Sequence, residues 1–322
     1  MEDFNIQLAY MSRNSALPFT TYAQFLHRHF PQKVQKLPVD AGCGCPVRDG
    51  TLGVGGCAFC NGRSFLPHLQ DEGWQVRAQL DRGKRFFARK ISSGNPTVFL
   101  AYFQAGTNTY APVREMMPRL EEALAVEGVG GLVIATRPDC LTEAWLQALQ
   151  SLSRRTFVMV ELGVESLCDA TLDRAGRGHT ARCSLSAIET LTSIGVHVGI
   201  HLILGLPGDT PAEWMRWPAM LADTPVEVIK FHQLQILRGS RLAAEYLRAP
   251  EQFTLLTPEV YVASLADFLE RLPARVAVDR LASVAKADEI VAPRWGLRPD
   301  DLQLRLVEAF RQRCTYQGCL CR

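Results

Sequence analysis

Residues 157–204 hold the reading that decides the fold: Phe157-Val-Met-Val-Glu-Leu-Gly163, then Ala181-Arg-Cys-Ser-Leu-Ser-Ala-Ile-Glu-Thr-Leu-Thr-Ser-Ile194, then His197-Val-Gly-Ile-His-Leu-Ile-Leu204. The outer runs are short, rich in β-branched residues and without polar alternation. Strands buried on both faces of a parallel sheet read this way. The middle run has helical periodicity, and Gly195 follows it as a stop. The stretch is therefore a β-α-β unit.

The same pattern extends both ways. Strands are predicted at Leu37–Asp40, Thr97–Phe103, Gly131–Ala135, Phe157–Gly163, His197–Leu204 and Glu227–Gln235. Helices are predicted at Trp74–Arg89, Val113–Val126, Thr142–Leu152, Ala181–Ile194 and Pro211–Leu221. Thr142 precedes Glu143, and Thr210 precedes Pro211 and Glu213; both are start signals. Six strands in about 200 residues fit a doubly wound sheet or a barrel. A closed eight-stranded barrel typically takes ~250 residues. The expected class is therefore α/β, a partial (β/α)6 TIM-like barrel with parallel strands and a small α+β C-terminal extension. In either architecture the ligand sits at the carboxyl ends of the strands. The division expected is an N-terminal helical segment over 1–35, the partial barrel over 36–236 and the extension over 237–322. In the extension, Pro258–Leu272 and Asp300–Arg313 read as helices, and Arg275–Leu281 reads as an antiparallel edge strand.

The chain has 322 residues, with 35 Lys plus Arg against 33 Asp plus Glu, a net charge of +2. Apolar residues make up 47% and charged residues 21%, ordinary values for a globular protein. They exclude disorder as the main state and a strongly basic nucleic-acid coat protein. The stretch Arg82–Lys90 is a solvated helix face or, in the alternative reading, an RNA contact. The first residues do not read as a secretory leader, and no run reaches ~18–20 apolar residues, so neither export nor a membrane span is expected. The expected setting is cytoplasmic, away from membranes.

Ten cysteines in a reducing compartment are not expected to form disulfides. Cys43, Cys45, Cys57 and Cys60 crowd into 18 residues directly after the first strand, with six glycines between Gly42 and Gly56. A glycine-rich loop carrying soft thiolates suits a metal. Zinc would take all four thiolates in a tetrahedron, although Cys43-Gly-Cys45 is tighter than the usual knuckle. A four-iron cluster would take Cys45, Cys57 and Cys60 and leave one iron open. Phe59 stands where a ring could pack against an adenine. Cys314, Cys319 and Cys321 crowd the last nine residues. They are frayed terminal thiols, a second metal or cluster site, or a thiol-exchange group.

Cys45-Pro-Val-Arg-Asp-Gly-Thr51 and Gly55-Gly-Cys-Ala-Phe-Cys-Asn61 are followed in order by Tyr102-Phe-Gln-Ala-Gly-Thr-Asn-Thr-Tyr-Ala-Pro112, Thr136-Arg-Pro-Asp139, Glu161-Leu-Gly-Val-Glu-Ser166, Arg177-Gly-His-Thr180 and His201-Leu-Ile-Leu-Gly-Leu-Pro-Gly-Asp209. Together these blocks resemble the radical S-adenosylmethionine enzymes, in particular the YhcC-like branch, which is related to the radical domain of the Elongator catalytic subunit. The spacing C-x11-C-x2-C departs from the superfamily's usual C-x3-C-x2-C and resembles the longer loop of that branch. The resemblance covers roughly residues 30–320.

It implies a [4Fe-4S] cluster on Cys45, Cys57 and Cys60. It also implies S-adenosylmethionine as cofactor, cleaved reductively to a 5′-deoxyadenosyl radical that abstracts hydrogen. Gly106 and Thr107 would meet the cofactor's ammonium, or serve only as a βα turn. Glu165 and Ser166 would meet ribose hydroxyls or an amine, or form an internal salt bridge. Arg177 suits the methionine carboxylate through its bidentate fork, and Gly205 the adenine-side turn. His179, Tyr110, His201, His232 and Gln235 lie on or near the expected active face without an assigned role. A one-electron reductant such as flavodoxin or ferredoxin is implied as partner, and tRNA wobble uridine as substrate. A small metabolite or a peptide is the other substrate class. A zinc-stabilised, non-catalytic binding module is the reading of a different kind. Too few residues follow Leu237 for an acetyltransferase domain, so acetyl transfer is not expected.

Overall fold

A computed structural model describes residues 17–62, 75–88, 96–283 and 285–321. Residues 1–16 of the expected N-terminal segment lie outside these, as do Trp74, Arg89 and Lys90.

Six strands joined by five helical connections form the body. In order, the elements are β1 (Lys33–Val39), α1 (Val76–Phe87), β2 (Thr97–Phe103), α2 (Val113–Leu124), β3 (Val129–Thr136), α3 (Glu143–Ser153), β4 (Phe157–Glu165), α4 (Asp169–Arg174), α5 (Ala181–Ser193), β5 (His197–Leu204), α6 (Pro211–Trp214), α7 (Trp217–Ala222) and β6 (Val228–Gln233). The caps form as the sequence indicates. Thr142 Oγ1 accepts from Trp145 N, and Thr210 and Glu213 form a reciprocal capping box.

The next elements are β7 (Ile236–Leu237), α8 (Arg241–Arg248), α9 (Pro258–Arg271), β8 (Ala277–Arg280), β9 (Ile290–Ala292) and α10 (Pro299–Arg313). One sheet runs β1-β2-β3-β4-β5-β6-β8, with every pairing parallel. It is a seven-stranded half-barrel. β7 and β9 form a separate antiparallel ribbon.

The Arg275–Leu281 segment corrects the expected antiparallel edge. β8 pairs with β6 in parallel, because α9 crosses over between them and returns the chain in the same direction. Its alternation has another origin: one face of β8 borders a polar barrel interior, where Asp279 meets Lys36 at 2.6 Å.

The outward face of the strands buries Leu37, Val39, Phe103, Ile134, Val160, Leu162, Ile200 and Phe231 beneath the helices in the main core. The inward face is split by depth. Its amino end is filled by a short helix, α0 (Tyr22–His27), whose Tyr22, Phe25 and Leu26 pack on Leu100, Val133, Met159, Val228 and Ala277. The preceding residues run beside β8, with Val278 N donating to Thr20 O at 2.8 Å. One mouth of the half-barrel is thereby filled, which leaves the carboxyl ends of the strands for a ligand. Among the described residues no helix is long and apolar enough to cross a membrane.

Candidate functional site

The cysteine loop leaves β1 after Val39. The eleven residues between Cys45 and Cys57 close on themselves through Leu52 N to Pro46 O (2.7 Å), Gly56 N to Val47 O (2.8 Å) and Gly50 N to Gly53 O (3.0 Å). This excursion brings Cys57 back to the patch that holds Cys45. The turn Cys57-Ala-Phe-Cys60 is then tied down on both sides. Ala58 N donates to Ala175 O at 2.8 Å, and Leu242 N donates to Ala58 O at 2.9 Å.

The four thiols do not gather. Cys45, Cys57 and Cys60 share one apolar patch with Val47, Ala58, Phe59, Ile203, Leu206 and Leu234. Cys43 packs against the main core instead, its Sγ 3.3 Å from Met116 Sδ, and burial pushes its thiol up to about 11. The donor set is thus three cysteines with a fourth turned away. That fits a cluster with three protein thiolates better than a closed tetrahedral zinc. Cys60 Sγ accepts from Arg48 Nη2 at 3.2 Å and from Gly62 N at 3.3 Å. Burial raises the Cys60 thiol pKa, and Gly62 and Arg48 act against that rise.

Arg177 is buried beside this patch. Nη1 donates to Cys57 Sγ at 3.1 Å, Nη2 to Gly163 O, and Nε to His179 Nε2 at 3.3 Å; Glu165 Oε1 lies 3.9 Å away. Burial works against its charge, but Cys57 and Glu165 outweigh it and keep the guanidinium firmly protonated. His179 is pushed down to about 4 by burial and by Arg177, so it accepts as a neutral ring. Arg137 forks onto Asp139 at 2.9 and 2.8 Å and donates to Arg177 O. The Thr136–Asp139 and Arg177–Thr180 blocks therefore act as one support behind Cys57.

Gly106, three residues beyond the end of β2, has a φ of 69°. A side chain there would run into the carbonyl of Cys43. Thr107 N donates to Gly44 O at 3.0 Å, so the pair holds the cysteine loop against the strand end. Glu165 closes β4 with φ of 71°, at a break in the β4–β5 register. Such a conformation is uncommon outside glycine, and residues held in it cluster at functional sites. Ser166 is fully buried; its Oγ donates to Asp209 Oδ1 at 3.1 Å and accepts from Cys168 N at 3.1 Å. Burial pushes Asp209 up to about 6. Gly205 directly follows β5 and lies against Leu234 and Leu256, and Phe59 is buried in the cysteine patch. Cys314 is exposed at the end of α10, Cys319 is half-buried and Cys321 exposed. Among the described residues, the group of three metal-capable side chains within 4.8 Å of one another is Cys168, Asp209 and Glu213; neither the tail cysteines nor Cys45, Cys57 and Cys60 stand that close together.

Sequence reasoning missed the layer beneath. Glu161 is reached by Lys230 at 2.6 Å, Lys36 at 3.2 Å, Tyr102 Oη at 2.6 Å and His201 Nε2 at 2.9 Å. Asp279 takes Lys36 at 2.6 Å and Lys230 at 3.2 Å. Burial would raise the Glu161 pKa, yet Lys230, Lys36 and His201 hold it well below the usual carboxylate value. His232 lies next to His201, with ring centroids 5.3 Å apart, and its buried Nε2 has no partner. The available signal was Lys36 beside buried Leu37 in β1 and Lys230 between buried Ile229 and Phe231 in β6.

Residues 43–217 match the Radical SAM superfamily, and residues 226–307 match the Radical_SAM C-terminal domain. The chain belongs to the Radical SAM superfamily and is a radical S-adenosylmethionine enzyme. It is 31% identical over 315 residues to the uncharacterized protein YtqA of Bacillus subtilis, covering 96% of each chain. It is 34% identical over 272 residues to protein YhcC of Escherichia coli, covering 84% of this chain and 85% of that one. Among solved structures, the archaeal Methanocaldococcus infernus Elp3 with an N-terminal deletion superposes with a TM-score of 0.68 at 16% identity, over 90% of this chain and 65% of that one. At that identity the likeness is one of fold. More distantly, a tRNA uridine(34) acetyltransferase of Dehalococcoides mccartyi is 26% identical over 208 residues, 62% of this chain and 44% of that protein.

Proposed function

We propose that the chain holds a [4Fe-4S] cluster on Cys45, Cys57 and Cys60, binds S-adenosylmethionine beside it, and cleaves that cofactor reductively to start hydrogen abstraction from a substrate. The observation that carries this reading is the sorting of the thiols. Three share one patch with N–H donors on two of them, while Cys43 is packed into the core. When bound, the cluster supplies the single electron that breaks the cofactor's C5′–S bond, drawn from a reductant such as flavodoxin or ferredoxin.

The chain's own residues bind and orient. Arg177 takes the methionine carboxylate, held by Arg137 and neutral His179 from behind. Gly106 and Thr107 fix the loop edge that faces the ammonium. Glu165 takes the ribose hydroxyls or the amine, with Ser166 fixing the turn that follows it. Phe59 and Gly205 line the adenine side. The apolar patch around the cysteines excludes water. The distant likeness to tRNA uridine(34) acetyltransferases supports the wobble uridine of tRNA as the first substrate to try.

The test is anaerobic reconstitution with iron and sulfide, reduction with dithionite, addition of S-adenosylmethionine and quantitation of 5′-deoxyadenosine. Product that disappears in Cys57→Ala is expected, with a rise in yield on adding undermodified tRNA. A colourless protein holding zinc would overturn the reading.

A further inference from the structure

Arg48 lies inside the eleven-residue excursion that separates Cys45 from Cys57. Its backbone N donates to Cys45 O at 2.9 Å, which turns the side chain back across the loop. Nη2 then reaches Cys60 Sγ at 3.2 Å. Two bare positions give the guanidinium its bed. A Cβ at Gly62 would lie 2.8 Å from Nη1, and one at Gly56 would lie 3.5 Å from Nε. Among the described residues the hydrogen bond of the Arg48 side chain is to this sulfur. A neutral thiol is a weak acceptor, whereas a metal-bound thiolate is a charged one. The contact therefore makes chemical sense for a thiolate that carries a metal.

We infer that Arg48 is a positioning residue that raises the reduction potential of the cluster on Cys45, Cys57 and Cys60. This inference rests on the cluster reading above. A guanidinium N–H on a ligand sulfur favours the state with one more electron, since both its charge and its hydrogen bond stabilise added negative charge. Arg48 is on the exposed side of the loop, so solvent screens part of the effect. Arg177 makes the corresponding contact with Cys57 but is assigned to the cofactor, so Arg48 is the residue that isolates the effect.

The experiment is a potentiometric titration of the reconstituted full chain without S-adenosylmethionine, read by the electron paramagnetic resonance signal of the reduced cluster. One electron passes from dithionite to the oxidised cluster; no bond breaks and no proton moves. Arg48→Gln is expected to keep its iron and to show a reduced-to-oxidised ratio, at one fixed potential, lowered about threefold to tenfold. For a one-electron couple that is a shift of about 30–60 mV to lower potential. Arg48→Lys keeps a charge but not the fork, and its shift is expected to be smaller and in the same direction. Equal potentials in iron-loaded wild type and Arg48→Gln overturn the role of Arg48. Where the Gln variant fails to take up iron, a wild-type potential in Arg48→Lys overturns it. Absence of iron from the wild type would instead overturn the cluster reading itself.

Discussion

Lys230 Nζ lies 2.6 Å from Glu161 Oε2 within the barrel, and neither side chain is more than 4% exposed. With Lys36 and Asp279 they form a block of two cations and two anions. Charges this far from water are tolerable only when paired. Glu161→Gln should therefore cost about 3–5 kcal/mol, because it leaves Lys230 and Lys36 sharing one carboxylate. Urea unfolding would measure it. The double variant Glu161→Gln with Lys230→Met is expected to lose less than the sum of the single losses.

The same layer sets the response to acid. Glu161 is held below its unfolded pKa by Lys230 and Lys36 against burial. Its contribution is present above the unfolded carboxylate range and is lost as pH falls through the folded value. His201 and His232 act earlier. Burial, with Lys230 for the first and His201 for the second, holds both below the ordinary 6.5. Below that pH the unfolded chain takes up protons that the folded chain refuses, so stability falls. The melting temperature should be flat from about pH 8 to 7 and decline from about pH 6.5 toward 5. His232→Asn should make that decline shallower, and an unchanged slope would remove His232 as a cause.

The thiols separate by substitution. Cys57→Ala and Cys60→Ala are expected to lose nearly all reconstituted iron and the brown colour. Cys43→Ala should keep both, since its sulfur meets Met116 rather than the other three. Its expected cost is one of packing, about 1 kcal/mol. Iron and sulfide analysis after desalting decides it. Loss of iron in Cys43→Ala would mean a fourth protein ligand.

The β-α-β order was legible because each strand and helix is marked locally. Thr142 and Thr210 cap where caps were expected, and the β5 run ends at Leu204 as read. The cysteine loop was legible for the same reason. The polar interior was not, because Lys230 and Glu161 are 69 residues apart and their pairing is a property of the assembled, curved sheet. The direction of β8 was hidden similarly. Alternation reports that one face is polar, while direction depends on α9 as a crossover. Arg48 stood in a quoted motif, but its partner Cys60 is fixed only by the path of the excursion.

Gly106 offers a last test, on the joint between sheet and loop. Its φ of 69° is in the left-handed region, and a Cβ there meets the backbone carbonyl of Cys43 rather than a side chain that could swing aside. Ala at this position must therefore push Cys43 and Gly44 away and stretch the Thr107 N–Gly44 O bond. The expected loss is at least ~2 kcal/mol, from the unfavourable conformation and the displaced loop. Iron uptake should fall too, since Cys45 follows the displaced pair directly. Gly199 is the control. It lies in β5 without a left-handed φ, and a Cβ there would make ordinary contacts at 3.5 Å with Glu161 and 3.6 Å with Val228. Gly199→Ala should stay within about 1 kcal/mol of wild type and keep its iron. Chemical unfolding with iron analysis on both variants distinguishes a strained joint from a general intolerance of added side chains. Equal behaviour of the two would show that Gly106 is not the position that holds the cysteine loop to the sheet.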